Sequence, residues 1–202
     1  MSNQISAQEQ QMLQQGIQAV AAHLQQKMHA GADSISVIRF VHQQLDQIAG
    51  APGPQGMTLA CAAGCDHCCR QLKQIEISEA EADLMLSVFT EPAQQQALLQ
   101  RLQQSTGVAA HQPCVMLEQG RCSVYAVRPG VCRKAHSYDA AACAALSEDV
   151  PQNLERVLRS EAMLLGLRAV LTPAQSSVAP VNQALLAAAA RAGWFSADAS
   201  QS

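Results

Sequence analysis

Four cysteines fall within nine residues, Cys61, Cys65, Cys68 and Cys69, in the stretch C-A-A-G-C-D-H-C-C. The other four, Cys114, Cys122, Cys132 and Cys143, follow in the middle of the chain, and both flanks are free of cysteine. Thiolates are soft ligands that select zinc, copper(I) or iron–sulfur clusters, so a cysteine-ligated metal centre is the chemistry this clustering points to. All eight thiols are candidate ligands. The first group is spaced i, i+4, i+7, i+8, which is one face of a helix and also a reach that a tight loop can wrap around an ion. Side chains of the adjacent pair Cys68 and Cys69 would point about 100° apart on a helix. They would then share a centre only with distortion, or serve two.

The second group lies in P-C-V-M-L-E-Q-G-R-C-S-V-Y-A-V-R-P-G-V-C-R, where Arg121, Arg128, Arg133 and Lys134 outweigh Glu118. Ligating thiols must lose their protons, and a four-thiolate site is anionic. Nearby guanidinium groups favour the thiolates and offset the charge, which makes Arg128 and Arg133 candidate cofactor-binding residues. Eight thiols suffice for two closed tetrathiolate sites, or for one four-cysteine iron–sulfur cluster with the rest in reserve. Cys143, in D-A-A-A-C-A-A, suits a buried structural thiol as well as a ligand. His67 and His136 stand close to cysteines and could ligate zinc or iron; His111 is a weaker candidate, and His23, His29 and His42 belong to helices. No residue set marks a catalytic site.

The chain of 202 residues carries a net charge of -3, 49% apolar residues and only 3% aromatics. That length suits one domain with helical extensions, its core assembled from Leu, Ala, Val, Ile and Met. The charge leaves no basic footprint for nucleic acid. The polar start M-S-N-Q-I-S-A-Q-E lacks a signal-peptide pattern, and no apolar run reaches the roughly 20 residues of a membrane span. The expectation is a soluble cytoplasmic protein, where thiols stay reduced and metal binding is favoured over a disulfide framework.

Helices must position the cysteines. Ile5, Met12, Leu13, Ile17, Val20, Ala21 and Leu24 recur at helical spacing over residues 4–29. Ile35, Ile38, Val41, Leu45 and Ile48 form a second stripe after Asp33 or Ser34 as cap. The two should make a hairpin over residues 1–50, followed by a linker over 51–60 that includes Pro52, Gly53 and Pro54. Within the cysteine-cluster region, residues 61–146, Ile75 and Ile77 fit a short extended connection. Ser78 with Glu81 is a capping box for a helix from Glu79 to about Phe89. Pro92 starts another through about Gln104, closed by Gly107. Residues 113–143, with Pro113, Gly120, Pro129 and Gly130, read as irregular and held by metal. Over residues 147–192, Pro151 opens a helix with Leu154, Val157, Leu158, Met163, Leu164 and Leu167 inward, ended by Thr172 and Pro173; an alanine-rich helix from about Ala179 to Ala192 follows. A flexible tail occupies 193–202.

Taken in order, C-x3-C-x2-C-C, C-x7-C and Y-x2-R-P-x2-C-R resemble the YkgJ-like cysteine-cluster family, of the CxxCxxCC type. The matching residues are Cys61, Cys65, Cys68, Cys69, Cys114, Cys122, Tyr125, Arg128, Pro129, Cys132 and Arg133. Three residues, Ala62, Ala63 and Gly64, fill the first gap where the family pattern has two. The resemblance implies chelation of zinc or iron by these cysteines. Flagellin lysine N-methylases look like relatives of the cluster, which implies a metal-dependent enzyme as an alternative. Cys61, Cys65 and Cys68 also match the C-x3-C-x2-C of radical S-adenosylmethionine enzymes, but the chain lacks the alternating elements and the length of their barrel.

The reading is a mainly α, helical protein with an irregular, cysteine-rich metal-binding central segment. Its cofactor would be an iron–sulfur cluster or iron, with zinc as the alternative. Its role would be redox or metal handling, or else that of a structural zinc module presenting its helices to a partner protein. The partners expected are thus the metal and an unidentified protein, with neither nucleic acid nor membrane.

Overall fold

A computed structural model describes residues 5–71, 75–105, 113–134, 136–145 and 150–195. Among these the architecture is mainly helical, as the periodicity predicts. Helix α1 spans Ala7–His29 and opens on Ser6, whose hydroxyl and backbone N–H exchange hydrogen bonds with Glu9 as a capping box. Helix α2, Ser34–Gly50, is capped by Asp33 and buries Val37, Ile38, Val41, His42, Leu45 and Ile48. Helices α4 (Glu79–Leu86), α5 (Pro92–Ser105), α8 (Leu154–Val170) and α10 (Val181–Arg191) complete the framework.

With so few aromatics, the helices depend on close approach. Helix α1 packs along α8, and α2 crosses α8 as well. A methyl group at Gly16 would stand 2.9 Å from Ala162, and one at Gly166 would meet Val20 at 2.5 Å, so these glycines let the axes come together. Helix α10 covers α4 and α5. The core runs continuously from Leu24 and Ile38 through Leu84 and Leu98 to Leu185.

Two short antiparallel pairings join the helices. Strand β1, Glu76–Ser78, is the extended connection anticipated before α4. Its antiparallel partner is β4, Val178–Pro180, so α10 begins at Val181 rather than Ala179. The second pair, β2 (Leu117–Glu118) and β3 (Arg121–Cys122), is a hairpin inside the region read as irregular. Its two turn residues, Gln119 and Gly120, both have positive φ, as a two-residue hairpin turn matching strand twist requires.

The inward face of α8 also departs from the apolar stripe. Leu154 is exposed, whereas Arg156 and Ser160 are buried. Arg156 turns inward because its guanidinium donates to the carbonyl oxygens of Ala49 and Ala51 at the end of α2, where helix carbonyls lack intrahelical partners. Short helices α3 (His67–Gln71), α6 (Gly130–Arg133), α7 (Ala140–Ala144) and α9 (Pro173–Ser176) fill the connections. No described helix is long and apolar enough to cross a membrane.

A buried carboxylate ties these parts together. Glu81, 7% exposed, accepts from the backbone and hydroxyl of Ser78, from His42 Nε2 on α2 at 3.1 Å, and from the Gly130 N–H at 2.7 Å. Burial alone would raise its pKa, but the His42 and Gly130 bonds outweigh burial and bring it down to about 2. The contribution is therefore complete above the ordinary carboxylate value of 4.5 and is lost as pH falls from there towards 2. Replacing Glu81 by Ala strands His42 and the Gly130 N–H; we expect a loss of about 3–5 kcal/mol in chemical denaturation. Glu81→Gln should flatten the decline in stability between pH 4.5 and 2 that the native chain shows; an identical decline in both would assign it to other groups.

Candidate metal centre

Each cysteine is brought to the site by a local device. Cys61 and Cys65 lie on a turn closed by the Cys65 N–H on the Ala62 carbonyl oxygen, with Gly64 at φ 95°. Glycine is what a turn with positive φ at its third residue demands, so Gly64 accommodates the three-residue gap and keeps both thiols on the same side. Helix α3 then presents Cys68 and Cys69. The loop and helix readings of the first group thus each hold for half of it.

The hairpin is stitched to α3 by the Cys114 N–H on the Cys69 carbonyl, 2.8 Å, and its β3 strand carries Cys122. Cys132 lies on α6, which Pro129 caps and Glu81 anchors through Gly130. Adding a methyl group at Gly130 would put it 2.3 Å from the end of the Leu164 side chain and 3.2 Å from that of Leu45, so a larger residue here would push these leucines aside. On the other side, Ala60 and Cys61 bond to Ser137, whose N–H reaches the Cys61 Sγ at 3.2 Å.

The result is one cavity of about 110 Å³ lined by Cys61, Cys65, Cys68, Cys69, Cys114, Cys122 and Cys132. Arg128, Arg133, Tyr125 and His136 also line it, with Ile75, Met85, Met116 and Val181 at its apolar side. All eight thiols are free and half-buried. Cys143 does not line the cavity; it lies on α7, which packs against α3, close enough for its charge to act on Cys61. His67, half-buried on α3, does not line it either, and His111 lies outside the described residues.

Cys68 and Cys69 settle their own geometry: the sulfurs are 4.0 Å apart. Two ligands on one tetrahedral ion, each at about 2.3 Å, would be about 3.8 Å apart, so neighbours on a short helix fit a common centre. The wider ring is looser. Among the described residues no three His, Cys, Asp or Glu side chains already converge to metal-holding distance. The donors encircle the space, and closing on an ion would draw them inward.

Electrostatics single out Cys68. The hydrogen bond from Cys69 brings its pKa down to about 7 against the effect of burial, while Cys69 is pushed far up by the same shared proton. Burial raises Cys61, Cys122, Cys132 and Cys114, the last to about 11. Each of these four is also raised by neighbouring thiolates, Cys68 among them in every case. Arg128 opposes the rise at Cys122.

The two arginines are held rather than free. Asp46 on α2 bonds both Arg128 and Arg133. Arg133 also donates to the carbonyls of Arg128 and Ala126, and Arg128 lies over the Tyr125 ring with its guanidinium carbon 3.9 Å from the centroid. Asp46, and with it the His42–Glu81 pair, escaped the reading of the sequence. The available signal was that His42 and Asp46 are four apart beside the apolar stripe of α2, a spacing that puts both on one helix face.

Residues 60–153 match the profile of the CxxCxxCC family, described as "Putative zinc- or iron-chelating domain". No curated protein and no solved structure matches the chain.

In reduced, metal-free protein, limiting iodoacetamide at pH 7 should label Cys68 first, with Cys69, Cys114 and Cys132 the slowest. Peptide mapping that finds the thiols modified at equal rates would contradict the assigned charge distribution. The central segment, residues 60–153, which brings the four-cysteine opening and the Y-x2-R-P-x2-C-R element to one cavity, is thus similar to the CxxCxxCC cysteine-cluster family.

Proposed function

We propose that this protein binds a metal through the cysteine ring, as an iron–sulfur cluster or iron, with zinc the alternative, and serves in redox or metal handling in the cytoplasm. The observation that carries the reading is the cavity itself: seven thiols from the Cys61 turn, α3, the hairpin and α6 face one space. Thiols serve packing poorly when they border a void, and a reducing compartment keeps them available as ligands. The family's zinc or iron chemistry supports the same reading.

Iron is favoured over zinc by the donor inventory. Cys65, Cys68 and Cys69 stand in a tight C-x2-C-C run, and Arg128 and Arg133 supply positive charge beside the thiols, as an anionic cluster needs. When bound, the metal would supply electron transfer or a transferable ion. The residues of the chain would hold it, exclude water on the Met85 and Met116 side, and keep the opposite side open near exposed Tyr125. Because most of these thiols are protonated at neutral pH, loading must release protons, and affinity should rise with pH.

Anaerobic purification followed by elemental analysis and visible absorption decides the matter. Stoichiometric iron with acid-labile sulfide and a brown colour is the expected result, and Cys68→Ser or Cys132→Ser should abolish it. A colourless protein with stoichiometric zinc establishes the alternative. Folded protein that takes up neither metal from a replete medium, or from anaerobic reconstitution, overturns the proposal.

A further inference from the structure

His136 is 1% exposed, yet neither Nδ1 nor Nε2 has a hydrogen-bond partner among the described residues. A neutral imidazole carries one donor and one acceptor, and leaving such groups buried without partners is costly enough to be rare. The ring lines the cavity bordered by seven of the cysteines. Its backbone position is fixed from both sides: α6 with Cys132 ends just before it, and the next residue, Ser137, donates to the Cys61 sulfur. The Arg133 carbonyl stands beside the ring without reaching hydrogen-bond geometry. Other histidines of the region differ. His42 is engaged by Glu81, and His67 does not line the cavity.

We propose that His136 supplies an imidazole nitrogen to the metal held by the cysteines, so that the centre is a mixed sulfur and nitrogen site. This rests on the metal-binding reading above and goes further by assigning a ligand. Coordination gives one buried nitrogen its missing partner. The other would donate to a backbone carbonyl, as metal-bound histidines commonly do, and the Arg133 carbonyl is at hand. Replacing one thiolate by a neutral imidazole makes the donor set one charge less negative, which widens its range towards zinc and, for an iron–sulfur centre, raises the reduction potential.

X-ray absorption of the full chain, loaded anaerobically with zinc and separately with iron, reads the donor atoms directly. For zinc the expected shell contains nitrogen at about 2.0–2.1 Å with the multiple-scattering signature of imidazole, beside sulfur at about 2.3 Å. His136→Gln should lose that signature and bind zinc at least about tenfold more weakly. His136→Cys should restore stoichiometric binding with an all-sulfur shell. A native shell of sulfur alone, or an imidazole signature that persists in His136→Gln, overturns the assignment while leaving the metal site standing. Absence of any bound metal in the native chain defeats the metal-binding reading itself. Should His136→Gln fail to fold, the spectrum of the native chain still decides.

Discussion

The Glu81 carboxylate is the constraint on which the arrangement of this molecule turns. It is buried and ionised, and its bonds run to three separate parts of the chain: the start of its own helix, His42 on α2 and the backbone of Gly130. A buried anion tolerates no vacancy among its partners, because an unmatched charge in a low-dielectric interior costs several kcal/mol. Helices α2, α4 and α6 therefore have one mutual position in which all of Glu81's bonds are made. Cys132 sits two residues beyond Gly130, and so the far wall of the cysteine cavity is set by an acid that is not a candidate ligand.

The helical framework was legible wherever periodic apolar residues met a local cap. Asp33, Ser78 with Glu81 and Pro92 begin helices at or near the anticipated residues because capping is decided within a few positions of sequence. What escaped is what depends on partners far away. Strand β4 exists because β1 is there to pair with it, and Arg156 points inward because α2 ends beside it. The Gln119–Gly120 hairpin was readable in principle from its turn dipeptide, but β2 and β3 are too short to show alternation.

The candidate site followed a similar division. Clustering and spacing identified the thiols, and cysteine chemistry is distinctive enough for that. Seven of them reach one cavity, while Cys143 stays behind on α7, a difference that spacing along the chain does not reveal. The positive charge of Arg128 and Arg133 was visible. That both are shackled to Asp46, more than 80 residues earlier in the chain, was not. Such a tether fixes the guanidinium groups before any ligand arrives, which lowers the entropy lost when the site is filled.

Arg156 gives the cavity a remote dependence of its own. It lies beyond the matched segment that ends at residue 153, yet its guanidinium gathers the trailing carbonyls of α2 and stands 5.8 Å from the centre of the Tyr138 ring. Ala49, one of the residues so gathered, is itself part of the cavity wall. The cysteine segment thus leans on a buttress built from the helix that follows it. Sequence drift at this position of α8 would reshape the chamber without touching a candidate ligand.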